Sequence, residues 1–197
     1  MRKKRSVQKL IEAAMNLERQ TMELYCLLEN RFSQPEELRN FWFDMAQHES
    51  RHFGALALVA GLMHGQPQRS LGARRSLEPE HVAEMQRLLR RCLREARKGV
   101  SLERAFEMAL EIESSEIEEL VLDLTEELRG EAEREKAAKL LIHDLGDLTY
   151  MIEKYTHNAE LLAQADALLE RQVRRLQPSA AGGRVVPLRQ AARAGRS

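Results

Sequence analysis

The residues best suited to chemistry lie in the stretch Met45-Ala46-Gln47-His48-Glu49-Ser50-Arg51-His52-Phe53. Glu49 and His52 are three positions apart, which on a helix places a carboxylate and an imidazole on one face. Leu38, Trp42, Met45, Leu56 and Val59 recur around them at a 3,4 spacing, so that face is otherwise apolar. Burying such groups unpaired costs several kcal/mol. A metal site is therefore the question this stretch poses. His48, next to Glu49, reads as pointing sideways, to solvent or to a neighbouring helix.

The elements that position this pair are helices. The 197 residues suffice for one domain core with tails. Hydrophobic residues make up 43% and charged residues 31%, with few aromatics and long Ala/Leu/Glu/Arg runs, which predicts an all-α protein. Formal net charge is zero, so nothing global points to nucleic acid or to a membrane surface. The two cysteines, Cys26 and Cys92, form no C-x-x-C, which excludes a cysteine-ligated iron or iron–sulfur centre within the chain. Such cysteine usage fits a reducing compartment. The basic residues 2–5 precede no apolar h-region and no run reaches transmembrane length, so the expected location is the cytoplasm.

Five segments of helical periodicity follow. The first runs over 6–31, capped by Ser6, with Ile11, Ala14, Glu18, Tyr25 and Leu28 on one stripe. Phe32-Ser33-Gln34-Pro35 breaks it, and a second helix covers about 35–63. A loop at 64–78 leads to a basic helix, about 79–98, with a narrow stripe of Val82, Met85, Leu89 and Leu93. A third long helix is expected over 101–128, with Gly130 in its C-terminal cap, and a fourth over 131–175. Residues 1–5 read as a basic extension and 176–197 as a disordered, Arg-rich tail. Two hairpins, 6–63 and 101–175, joined by a long crossover at 64–100, describe a four-helix bundle whose middle helices run parallel.

The hairpins bring further acids to the level of Glu49. The midpoint of Glu18 and Glu49 falls in the Ser33-Gln34 turn, and that of Glu113 and Asp147 falls at Gly130. Residues equidistant from a turn share a level, here roughly 20 Å from it at about 1.5 Å per residue. Glu116 lies one turn beyond Glu113, while His143 and Tyr150 flank Asp147. So many inward carboxylates repel one another unless cations neutralise them. Carboxylates with imidazole suit divalent iron or manganese, and two ions about 3.5–4 Å apart would use this many ligands.

Glu18, Glu49-x-x-His52 and Glu113-x-x-Glu116 together resemble the di-iron fingerprint of the rubrerythrin branch of the ferritin-like superfamily. The likeness extends to Ala14-x-x-x-Glu18 with Tyr25, Met45-Ala46-x-x-Glu49 and Ala109-x-x-x-Glu113, and covers about residues 7–165. It implies a ferritin-like four-helix bundle with iron, or manganese, on Glu18, Glu49, His52, Glu113, Glu116 and Asp147. It further implies reduction of peroxide or oxygen, or iron oxidation, with Glu116 and Tyr25 as candidate catalytic residues, although Tyr25 reads more simply as a core or hydrogen-bonding group than as a redox centre. A separate electron-donor protein and a homodimer are the expected partners. The fourth helix departs from the family, having Asp147-x-x-Tyr150 where a second Glu-x-x-His belongs. His143 is a candidate substitute, and a weak or absent second metal position, in an iron-storage cargo or a scaffold, is the alternative reading.

Overall fold

The computed structural model describes residues 2–65, 79–115, 122 and 130–176. Among these residues the chain is all-helical, without strands, as the composition predicts. Glu116, most of the 64–78 loop and the Arg-rich tail lie outside the described residues.

Helix α1 (Arg2–Arg31) begins before the expected Ser6 and takes in the basic residues assigned to an extension. Its stripe of Ile11, Ala14, Glu18, Tyr25 and Leu28 is buried throughout. The helix stops after Arg31, where the Phe32 N–H donates to the Leu28 carbonyl. Helix α2 (Glu36–Gly65) then starts with the Leu38 and Arg39 amides donating to the Pro35 carbonyl. Glu36 and Glu37 occupy its first turn, where the helix dipole favours anions. The α1–α2 hairpin is the most extensively packed pair of elements.

Helix α3 (Pro79–Lys98) lies against α1 and α4 (Leu102–Glu113), and Val82, Met85, Leu89 and Leu93, the narrow stripe read from sequence, are buried. It ends at Gly99, whose φ of 96° belongs to the left-handed region that favours glycine. A β-carbon there would stand 2.8 Å from the Arg31 guanidinium, so glycine also provides the space. Arg31 Nε donates to the Val100 carbonyl at 2.6 Å, tying the end of α1 to the α3–α4 junction.

Helix α4 (Leu102–Glu113) is capped by the Ser101 hydroxyl, which accepts from the Arg104 N–H. The Arg104 side chain donates to Glu95 on α3 and to Glu107 and Glu111 on its own helix. Burial opposes the charge on Arg104, but these carboxylates outweigh it and raise its pKa. The helix expected to run to 128 ends at Glu113, with Ser114 as its cap.

Helix α5 (Glu131–Tyr155) follows Gly130, which has a φ of 92° and stands at its start. The single fourth helix expected over 131–175 is in fact two, because Thr156-His157-Asn158 separates α5 from α6 (Ala159–Leu176). Thr156 is extended, and its hydroxyl donates back to the Ile152 carbonyl. Asn158 opens α6 by accepting the Leu161 N–H on its side-chain oxygen at 3.0 Å. Helices α5 and α6 pack against each other across this connection, and α5 also touches α2 and α4.

The centre of the core is aromatic. Trp42 lies among Tyr25, Phe41 and Phe106, with ring centroids at 6.0, 4.8 and 5.4 Å. Trp42, Tyr25 and Phe106 have no solvent exposure. They fix how α1, α2 and α4 meet, with Trp42 two helical turns before Glu49 on α2.

Candidate metal centre

Glu18 from α1 and Glu49 and His52 from α2 converge in the interior, each buried. One ligand atom from each lies within 4.8 Å of the others. His52 Nδ1 is 3.9 Å from Glu18 Oε2 and 3.7 Å from Glu49 Oε2. Ligand bonds of about 2.1 Å hold donors on one ion no more than about 4.2 Å apart. Both distances from His52 fall inside that limit. Two carboxylates and an imidazole form a hard-to-borderline donor set suited to a divalent first-row ion. The three residues thus fit a metal ion in number, type and spacing.

The short turn explains why these residues meet. Intact helices flank residues 32–35, so equal counts along α1 and α2 give equal heights. Rotation completes the match, since Glu49 and His52 lie close to the direction of Met45 and Leu56 on the buried side of α2.

Glu113 is also fully buried, at the last position of α4. The Tyr25 hydroxyl donates to its Oε1 at 2.7 Å, linking α1 to α4 across 88 positions. Tyr25, expected as a candidate catalytic residue, therefore orients a carboxylate from within the aromatic core.

The fourth-helix expectation needs correction. Asp147 has a side chain 51% exposed, and its carboxylate faces His143 Nδ1 at 3.4 Å. His143 is 72% exposed, and Tyr150 at 39% exposure accepts a hydrogen bond from Lys154. The buried stripe of α5 is Leu141, Leu145, Leu148 and Ile152. At about 100° per residue, Asp147 stands roughly 120° from the centre of that stripe, and His143 and Tyr150 lie nearly opposite it. None of the three belongs to the buried Glu18–Glu49–His52 group.

Asp144 comes inward instead, about 60° from the centre of the stripe. Its Oδ2 is 3.0 Å from His48 Nδ1, and the His48 side chain is 3% exposed. The His48 ring packs on His52 with centroids 4.1 Å apart. Of the two directions expected for His48, solvent or a neighbouring helix, the structure shows the second, with the ring buried against Asp144 of α5. The sequence signal was available in Phe41, His48, His52 and Val59, which share one flank of α2. Neither cysteine presents a ready thiolate: burial pushes Cys92 up to about 11, and burial also raises exposed Cys26.

No family model, curated protein or solved structure matches the chain. Among the described residues no helix is long and apolar enough to cross a membrane.

Proposed function

We propose that this chain is a rubrerythrin-like, non-haem iron protein with a ferritin-like helical bundle. The observation that carries the reading is the buried Glu18–Glu49–His52 group, whose donor atoms lie within 4.8 Å of one another. Two carboxylates in a dry interior are costly, and a divalent cation compensates them where a single imidazole does not. Glu18 and Glu49 supply oxygen donors from two helices, and His52 supplies the nitrogen. Tyr25 keeps Glu113 oriented, its hydroxyl oxygen standing 2.7 Å from the carboxylate oxygen to which it donates. Tyr25 itself is fixed by the ring cluster around Trp42.

Iron bound there would supply electrons and Lewis acidity for reducing peroxide or oxygen. Manganese fits the same donors. A chain without a cysteine-ligated redox centre draws its electrons from a separate donor protein in this reading, and the expected assembly is a homodimer. Anaerobic loading with Fe(II), metal analysis and a peroxide-consumption assay form the test. Bound iron with peroxide consumption that is lost in Glu49→Ala and His52→Ala supports the reading. Absence of bound iron in the wild type overturns it.

A second reading draws on the outward turn of Asp147 and Tyr150. If the departure on the fourth helix weakens turnover, the chain handles or stores iron, or serves as a scaffold. Iron uptake without sustained peroxide consumption distinguishes that outcome.

A further inference from the structure

Beside the Glu18–Glu49–His52 group, α2 and α5 bring together His48 and Asp144. We propose that these two residues form a second cation position, for a divalent transition ion, contiguous with the first. The inference rests on the metal reading of the neighbouring group and relocates the second ion from Asp147 and Tyr150, where the sequence pattern places it.

Three observations support the assignment. His48 is almost wholly buried, yet its Nδ1 has no hydrogen-bond partner among the described residues. Asp144 Oδ2 is buried at the atomic level and likewise lacks one. Their contact with each other offsets part of the desolvation cost, but no aligned hydrogen bond satisfies either atom.

The second observation is their separation. The atoms lie 3.0 Å apart, close enough for an ion pair but off the angle of a hydrogen bond. A histidine–aspartate pair serving only as a structural bridge aims its N–H at the oxygen, because the strength of that bond depends on alignment. Neighbouring donors on one ion behave differently. With bonds of about 2.1 Å meeting near 90°, their donor atoms lie about 3.0 Å apart without pointing at each other.

The third observation is the surroundings. The His48 ring contacts the His52 ring at a tilt of 60° with centroids 4.1 Å apart, so the position adjoins the first group. On the other side, Asp144 Oδ1 faces His143 Nδ1 at 3.7 Å, and His143 reaches solvent. The position is therefore buried on the α2 side and approachable from α5. Two protein donors leave places for water or a further ligand. An imidazole in the set favours iron, manganese or zinc over calcium and magnesium, which take oxygen donors.

The test counts ions in the full chain. Mn(II) binding is measured by equilibrium dialysis, and electron paramagnetic resonance separates coupled from isolated ions. The expected result is two ions in the wild type with a coupled spectrum. Asp144→Asn and His48→Gln should each leave one ion with an isolated signal. Circular dichroism checks the fold, and because Asp144 is partly exposed its variant remains informative if His48→Gln fails to fold.

One wild-type ion, kept in Asp144→Asn and lost in Glu49→Ala, overturns this proposal while leaving the first site standing. Two ions retained in Asp144→Asn also overturn it. No bound ion in the wild type removes both readings together.

Discussion

Helices α2 and α5 each carry two polar residues three positions apart, Glu49 with His52 and Asp147 with Tyr150, and treat them in opposite ways. The α2 pair is buried against α1, whereas the α5 pair faces outward, toward His143 and Lys154. The difference lies in rotation rather than in depth. The apolar stripe of α2 includes Glu49 and His52, while the stripe of α5 passes through Leu141, Leu145 and Leu148 and brings Asp144 to its edge. Three residues on a helix change height by about 4.5 Å and turn the side chain by roughly 60° net. That is enough to decide which carboxylate reaches the core.

The largest expected effect concerns the aromatic core that α2 shares with the pair. Trp42→Ala should destabilise the protein by about 3–5 kcal/mol, while Phe43→Ala, at an exposed neighbouring position, should stay within about 0.5 kcal/mol. Urea unfolding measures both, and similar losses would break the inward–outward contrast on α2. Next is the direct comparison of the two pairs. Glu49→Ala should weaken metal binding by at least about 100-fold, because it removes a donor rather than a supporting group. Asp147→Ala and Tyr150→Phe should leave affinity within about two-fold, as groups outside the buried set. Calorimetric titration with Mn(II) decides, and a large loss from Asp147→Ala would bring α5 back into the first site.

Tyr25→Phe removes the donor to buried Glu113 and should cost about 1–3 kcal/mol in metal-free protein. Denaturant midpoints measure this. A neutral result would mean that the carboxylate depends little on the phenol. Asn158→Ala removes the cap of α6 and should cost about 1 kcal/mol, again by urea unfolding, with metal binding unchanged.

The smallest effect is a pH dependence on the outer face. The Lys154 ammonium and the Tyr155 hydroxyl donate to Glu37 and hold its carboxyl below the usual range. A carboxyl lowered in the folded state contributes stability above its ordinary pKa, and loses it as pH falls through the lowered value. Thermal midpoints of wild type and Lys154→Met should therefore differ slightly near neutrality and converge in acid. A difference that persists in acid would assign the contribution of Lys154 to packing.

The all-helical character and the Glu18–Glu49–His52 group were legible in the sequence for one physical reason. Unbroken helices on both sides of a short turn convert residue counts into heights. The same arithmetic misled at Asp147, because α4 ends at Glu113 and counting through Gly130 assumes one continuous helix. It also carried no information on rotation. The break before α6 was hidden because Leu161, Ala165 and Leu168 continue an apolar pattern, leaving Asn158 as a lone cap signal. For His48 the sequence left solvent and a neighbouring helix both open, because its burial depends on Asp144, a partner 96 positions away on another helix.

The contact between Arg31 and Val100 has a further consequence, since it acts as the zero mark of a ruler. It pins the bottom of α1 to the foot of α4. Glu18 stands thirteen residues back from Arg31 along one helix, and Glu113 thirteen residues on from Val100 along the other. At about 1.5 Å per residue, each carboxylate is measured out to about 20 Å from the same mark. Gly99 keeps that mark clear for the guanidinium. A substitution there, remote from every candidate ligand, would displace the mark from which the height of Glu113 is set.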